Sequence, residues 1–571
     1  MKKPVIVFED FSFQYNAQAN PTLKNINLTI YEGEKVLIVG PSGSGKSTLG
    51  HTLNGLIPFN YKGEITGSLR IKGKETKNLS LFEVSRKVGT VLQDPDHQFI
   101  GLTVAEDIAF LLENECVVQE KMHQKVKEVA EMVEIQDHLG VAPQRLSGGQ
   151  KQRVTLGGVM VGEADILLFD EPLASLDPAT GKNAMYLIDS LQKQTGQTMI
   201  IIEHRLEDVL EANVDRIIVM NEGSIVADLS PQAILTVSPS ILKNVGVREP
   251  LYVTALKYAG CQLNTEMGLE HINTLRLDEM QKGALANWYK RQSPKEVAKE
   301  HAEALLSFKN VSFSYEGKKN ILEDISFDIY KGEMISLVGR NGAGKSTLSK
   351  LICGFYRPSE GKILFKGEDL KNKSIKERAE NIGVVLQNPN QMISKNMIFD
   401  EVALGLRLRG VSEEIIKEKV YETLKICGLY RKRNWPISAL SYGQKKRVTI
   451  ASILVLKPEL IILDEPTAGQ DYKHYTEMMQ FLKELNQKGI TILMITHDMH
   501  LMLEYTSRAL VLSEGKLLAD QAAYEVLTNE DLVGAASLKM TSLYELALRA
   551  ELKNAQDFVK CFIEEERNTR C

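Results

Sequence analysis

The chain has 571 residues, 43% hydrophobic and 25% charged, the make-up of an ordinary globular protein too long for one core. Its formal charge of −5 is small for this length and gives no reason to expect a nucleic-acid partner. The six cysteines form no CxxC pair and sit beside no histidine, which excludes an obvious zinc or iron–sulfur site and fits a reducing cytosol.

The N-terminal MKKPVIVFEDFSF has two lysines, but Glu9 and Asp10 interrupt it before an apolar stretch of secretory length can form. No window approaches the roughly 18 consecutive apolar residues that cross a bilayer, so any membrane role is expected to come through a partner. VIVFEDFSFQY (5–15) reads as a strand, and EKVLIVG (34–40) as a buried parallel strand feeding a phosphate loop. That loop is GPSGSGKST, made of Gly40, Pro41, Ser42, Gly43, Ser44, Gly45, Lys46, Ser47 and Thr48. Its glycines let backbone N–H groups wrap the β- and γ-phosphates, and the following helix adds its N-terminal dipole. Lys46 would neutralise those phosphates and Ser47 would offer its hydroxyl to Mg²⁺. Charges interleaved with apolar residues at helical spacing predict a helix over Val117–Ile135. In ILLFDEP (166–172) an apolar strand ends at Asp170, a carboxylate placed to hold Mg²⁺. Glu171 comes next, turned by strand alternation toward the γ-phosphate, where it can polarise the attacking water.

The whole series then recurs about 294 residues later. LLSFKNVSFSY (305–315) and EMISLVG (333–339) lead into GRNGAGKST: Gly339, Arg340, Asn341, Gly342, Ala343, Gly344, Lys345, Ser346 and Thr347. A helix is predicted over Glu413–Cys427, and LIILDEP (460–466) supplies Asp464 and Glu465. A period this long marks a duplicated domain, since solenoid units repeat every roughly 20–50 residues. PLYVTALK (250–257) also matches SLYELALR (542–549), so the copy continues into a helical tail.

Together these motifs resemble the ATP-binding cassette (ABC) family over some 460 of the 571 residues. The resemblance assigns further roles. LSGGQ (146–150) and LSYGQ (440–444) correspond to the signature, in which Ser147, Gly149, Ser441 and Gly443 would contact ATP held by the opposite domain. Gln93 and Gln387 correspond to the Q-loop, which couples Mg²⁺ and nucleotide to the transport partner. His204 and His497 correspond to the switch histidine, Tyr15 and Tyr315 to the aromatic that stacks on adenine, and Ser175–Leu176–Asp177 and Gly469–Gln470–Asp471 to the D-loop. The implied metal set is Ser47, Gln93 and Asp170 in one half and Ser346, Gln387 and Asp464 in the other. Tyr442 departs from the signature's glycine and would place a side chain beside the phosphates.

The expected fold is α/β: two tandem P-loop NTPase domains, each with a RecA-like core, an antiparallel β subdomain and a helical signature subdomain. The expected boundaries are 1–235, a helical extension at 236–302 with the join near Glu300, 303–530, and a second extension at 531–571. The segments QDPDHQFIGLTVAEDIAFLLEN (93–114) and QNPNQMISKNMIFDEVALGLR (387–407) look like the energy-coupling factor (ECF) importers of vitamins and transition metals, with the thiamine-precursor branch as the nearest single-chain form. Implied partners are a transmembrane T-component and a substrate-binding S-component, with the chain on the cytoplasmic face of the membrane and its two cassettes paired intramolecularly. Other double-cassette ATPases fit the sequence less well. A ribosome-associated double cassette would need a basic linker, whereas residues 232–306 carry nine Lys/Arg against eight Asp/Glu. A duplicated sugar-importer ATPase usually has one degraded site, and neither half here lacks its glutamate or histidine.

Overall fold

A computed structural model describes residues 2–174, 176–236, 239–292, 303–315 and 319–569. Ser175 of the expected D-loop, the expected join near Glu300, and Cys571 lie outside the described residues. The chain divides into two compact units. One is Met1–Trp288 with Asp471–Lys473 and Arg549–Glu551; the other is Tyr289–Gln470, His474–Leu548 and Leu552–Cys571.

The first unit contains strands β1 (Pro4–Tyr15), β2 (Leu23–Tyr31), β3 (Lys35–Val39), β4 (Gly63–Ile71), β5 (Lys74–Glu75), β6 (Val88–Val91), β7 (Ile166–Asp170), β8 (Thr198–Ile202), β9 (Arg216–Asn221) and β10 (Ser224–Leu229). They form two sheets, an antiparallel one ordered β2-β1-β4-β5 and a mostly parallel one ordered β10-β9-β3-β8-β7-β6. β3 and β8 are buried along their whole length, which is why Val36–Val39 and Met199–Ile202 read as unbroken apolar runs. β1 alternates instead, with Ile6, Phe8, Phe11 and Phe13 inward. Those four side chains join Leu49 and Leu53 of the helix Lys46–Leu53 and the facing side of the parallel sheet in one core. Each such large apolar side chain contributes roughly 1.5–3 kcal/mol on burial. The antiparallel sheet is thereby clamped over the phosphate-loop helix. Between β6 and β7 the helices Val104–Asn114, Gln119–Met132 and Gly148–Met160 form a helical subdomain.

The second unit repeats this plan with β11 (Ala304–Tyr315), β12 (Lys319–Tyr330), β13 (Met334–Gly339), β14 (Glu360–Phe365), β15 (Glu368–Asp369), β16 (Ile382–Val385), β17 (Leu460–Asp464), β18 (Thr491–Ile495), β19 (Arg508–Ser513) and β20 (Lys516–Ala522). Its sheets run β12-β11-β14-β15 and β16-β17-β18-β13-β19-β20, the same orders read through the duplication. Helices Ile398–Leu408, Glu413–Ile426 and Tyr442–Leu454 fill the slot between β16 and β17. The expected α/β fold with two tandem P-loop domains is present.

Each unit ends in helices. Leu251–Tyr258 and Ser542–Arg549 are the two matching tail segments, each of eight residues. Tyr252 is fully buried there and donates its hydroxyl to the Leu269 carbonyl at 2.7 Å, so the first tail is a folded element. The helix expected over Val117–Ile135 is trimmed to Gln119–Met132. Val118 is extended at its N-cap, and Glu134 turns left-handed (φ 55°) just past its end. Among the described residues no helix is long and apolar enough to cross a membrane.

Candidate nucleotide sites

In both units the parallel sheet aims a glycine-rich loop at the start of a helix. At Gly40 a Cβ would lie 2.3 Å from the Met220 carbonyl oxygen on β9, and at Gly339 1.9 Å from that of Leu512 on β19, so neither position has room for a side chain. Gly45 (φ 100°) and Gly344 (φ 105°) cap the helices in the left-handed region without a side-chain hydrogen bond. The N–H groups of each first turn are thus left for an anion. Ser47 and Ser346 are exposed on that turn. Lys46 donates to the Gly40 and Pro41 carbonyls at 2.9 and 3.0 Å, and Lys345 to those of Gly339 and Arg340 at 2.6 and 2.9 Å. Burial pulls the Lys46 ammonium down to about 8, against the raising influence of Glu171.

The antiparallel sheets deliver Tyr15 and Tyr315 to the same helices. Each tyrosine hydroxyl is 3.1 Å from the hydroxyl of Thr48 or Thr347 respectively. Sequence reasoning missed their aromatic neighbours. Tyr61 lies 6.2 Å from Tyr15 and stacks on His51 at 4.8 Å, and Tyr356 lies 5.2 Å from Tyr315. Both follow the loop helix beside a second aromatic, Phe59 and Phe355 respectively, and that shared placement was the available signal.

At the end of β7 the carboxylates diverge. Burial, reinforced by the negative charge of Glu171, pushes Asp170 up to about 6. Glu171 leaves the strand in a left-handed conformation (φ 48°), so the backbone turn rather than strand alternation aims its side chain. Its Oε2 accepts from Gln93 Nε2 at 2.7 Å, and its Oε1 lies 2.9 Å from His204 Nε2. Burial works to raise the Glu171 carboxyl, but the hydrogen bond and charge of His204, with Lys46, hold it below the ordinary range.

The second unit repeats the left-handed turn at Glu465 (φ 45°) with different surroundings. Thr496 donates to Oε2 at 3.3 Å, His497 Nε2 stands 3.9 Å from Oε1, and Oε1 has no hydrogen-bond partner. Burial, and then Asp464, push Glu465 up to about 7; burial also raises Asp464. The residue before the histidine accounts for part of the contrast. Glu203 accepts the backbone N–H groups of Leu173, His204 and Arg205, whereas Thr496 bonds Glu465 itself.

Each signature is a helix N-terminus closed by a capping box. Ser147 caps Gly148–Met160 reciprocally with Gln150, and Ser441 caps Tyr442–Leu454 with Gln444. This is the physical reason for Ser and Gln at that spacing. Gly149 and Gly443 lie in the first turns. The Tyr442 side chain reaches the Q-loop of its own cassette, where its hydroxyl donates to the Gln387 carbonyl at 3.1 Å. Among the described residues no group of three or more His, Cys, Asp or Glu could hold a metal ion alone. The Ser and Asp oxygens at each loop are hard donors, few enough to require phosphate oxygens to complete a shell, and this suits Mg²⁺.

Comparisons with known proteins show the family. The family model described as "ABC transporter" matches residues 23–174 and 322–468, together just over half the chain, and one described as "ATP-binding cassette cobalt transporter" matches 239–313. A curated relative from Clostridium perfringens, provisionally described as an ABC transporter ATP-binding protein, is 63% identical over 570 residues and 100% of both chains. One of the same description from Enterococcus faecalis is 59% identical over 100% of both. A solved structure of CbiO1 from C. perfringens, part of the ABC transporter complex CbiONQ, is 34% identical with a TM-score of 0.38, covering 40% of this chain and 93% of that one. The chain belongs to the ATP-binding cassette transporter family as an ATP-binding protein, an ATPase with two cassettes in tandem.

Proposed function

We propose that the chain is the energy-coupling subunit of an ECF-type importer, acting at the cytoplasmic face of the membrane through a T-component and a substrate-binding S-component. The observation that carries this reading is the 2.7 Å bond from Gln93 to Glu171, beside a segment whose Ile100 and Leu102 are 63% and 81% exposed. Exposed apolar side chains in sequence with a glutamine that holds the hydrolytic carboxylate offer a partner a surface from which docking reaches the chemistry. The cobalt-transporter description of the model matching 239–313 favours a transition-metal ion over a thiamine precursor as cargo.

In this reading Lys46, Asp170, Glu171 and His204 share one nucleotide with Ser441 and Gly443, while Lys345, Asp464, Glu465 and His497 share the other with Ser147 and Gly149. Tyr15 and Tyr315 stack on the adenines. Mg²⁺, held by Ser47, Gln93 and Asp170 or by Ser346, Gln387 and Asp464, would neutralise phosphate charge. Glu171 and Glu465 take the proton of the attacking water.

Replacing both glutamates by Gln is expected to lower ATP turnover at least about 100-fold while ATP binding persists, as read by steady-state hydrolysis and filter binding. Steady hydrolysis by that chain would sink the assignment. Purification from membranes should bring down a small polytopic protein; ribosomes in its place would overturn the transport reading. Deleting the chain should abolish cellular uptake of labelled Co²⁺, and loss of thiamine-precursor uptake alone would move the cargo to that class.

A further inference from the structure

The two cassettes connect the Q-loop to the hydrolytic glutamate by different means. In the first, the Gln93 carboxamide reaches the Glu171 carboxylate directly, and Gln152 of the signature helix donates to the Pro172 carbonyl at 2.8 Å. In the second, Gly148 and Gln152 are replaced by Tyr442 and Lys446, one helical turn apart on the same face. Lys446 is 1% exposed. Its ammonium donates to the carbonyl of Gln387 at 3.1 Å and to that of Glu465, and the Tyr442 hydroxyl donates to the same Gln387 carbonyl at 3.1 Å. One carbonyl oxygen has two lone pairs, so it can accept both.

Gln387 follows β16 and Glu465 follows β17, which are adjacent parallel strands. The ammonium therefore bridges the ends of two neighbouring strands from a third element, the signature helix. Burying an ammonium is costly unless its donors are used, and charge-assisted hydrogen bonds are about twice as strong as neutral ones. Asp464 and Glu465 stand close enough to attract the charge. A glutamine at this position, as in the first cassette, has no charge with which to do the same.

We propose that Tyr442 and Lys446 are positioning residues for ATP hydrolysis in the second cassette. Through the Gln387 carbonyl they tie the signature helix, the Q-loop and the backbone of Glu465 into one body. A push on the Q-loop then moves the signature and the hydrolytic glutamate together, where the first cassette transmits it through the side chains of Gln93 and Glu171. The proposal rests on the ATPase reading of Glu465 and on nothing about cargo or membrane partners.

The test uses the full chain with MgATP and the variants Lys446→Gln, Lys446→Arg, Tyr442→Phe and the double Tyr442→Phe/Lys446→Gln. Lys446→Gln should lower kcat at least about twofold with KM for MgATP little changed, and Lys446→Arg should restore most of it. Amide exchange should rise about tenfold in 387–392 and 465–470 while the phosphate loop 339–347 and the first cassette stay as they were. Tyr442→Phe should have a smaller effect, and the double variant should fall short of the product of the singles because both donors act on one oxygen. Unchanged kcat in Lys446→Gln, or exchange rising throughout the second cassette, would overturn the proposal. Hydrolysis persisting in Glu171→Gln/Glu465→Gln would instead strike the ATPase reading, and the exchange pattern would still report on the tie.

Discussion

Glu171 and Glu465 occupy equivalent left-handed turns and are pushed in opposite directions by what surrounds them. A left-handed backbone on a residue with a Cβ costs of order 1–3 kcal/mol, and its presence in both cassettes fits a carboxylate held where chemistry needs it. A general base works only when deprotonated. Glu465, raised by burial to about 7, loses that form as pH falls through neutrality, whereas Glu171, held low chiefly by His204 against its burial, keeps it. Turnover that survives in Glu171→Gln should therefore climb between roughly pH 6 and 8, whereas turnover in Glu465→Gln should change little near pH 7, Asp170 at about 6 and Lys46 at about 8 bending its profile only at the two ends of that window. Steady-state rates across the range decide the matter, and coincident profiles would remove the distinction between the two carboxylates.

The signature helices show how one element can serve fold and site at once. Ser441 and Gln444 close the N-terminus of Tyr442–Leu454, so Ser441→Ala should cost about 1 kcal/mol in urea unfolding, and Ser441→Asn should cost much less. The strands of each parallel sheet were legible because burial on both faces leaves only apolar residues in runs such as Val36–Val39. The phosphate loops were legible because only glycine fits where Gly40 and Gly339 approach a neighbouring strand. The capping box was written in the spacing of Ser147 and Gln150 but was absorbed into the signature and not read as a cap. Lys446 was illegible for a different reason. A lysine in a charged stretch of helix reads as solvated, and only the meeting of β16, β17 and this helix makes its ammonium a buried bridge. Side-chain direction at Tyr442 is likewise set by a carbonyl 55 residues away in sequence.

For the molecule as a whole, the informative fact is that relatives such as the C. perfringens protein match this chain over 100% of both lengths, so two cassettes with their tails are the shared plan. Each cassette holds its own loop lysine, carboxylate pair and signature, and the proposed head-to-tail pairing makes a sharp distinction between combinations of variants. In the Glu171→Gln/Glu465→Gln background, where bound ATP should accumulate, the chain is expected to retain about two nucleotides. Lys46→Ala removes one phosphate-binding lysine, and Ser441→Arg blocks the signature proposed to complete that same site. If both changes act on one nucleotide, the double variant retains about one, no worse than Lys46→Ala alone. Lys46→Ala with Ser147→Arg damages both sites and should retain almost none. Were each signature to serve its own cassette instead, the outcomes would exchange places: Lys46→Ala/Ser147→Arg would keep one nucleotide and Lys46→Ala/Ser441→Arg would lose both. Counting nucleotide per chain after rapid gel filtration separates the two pairings without requiring turnover, cargo or a membrane partner.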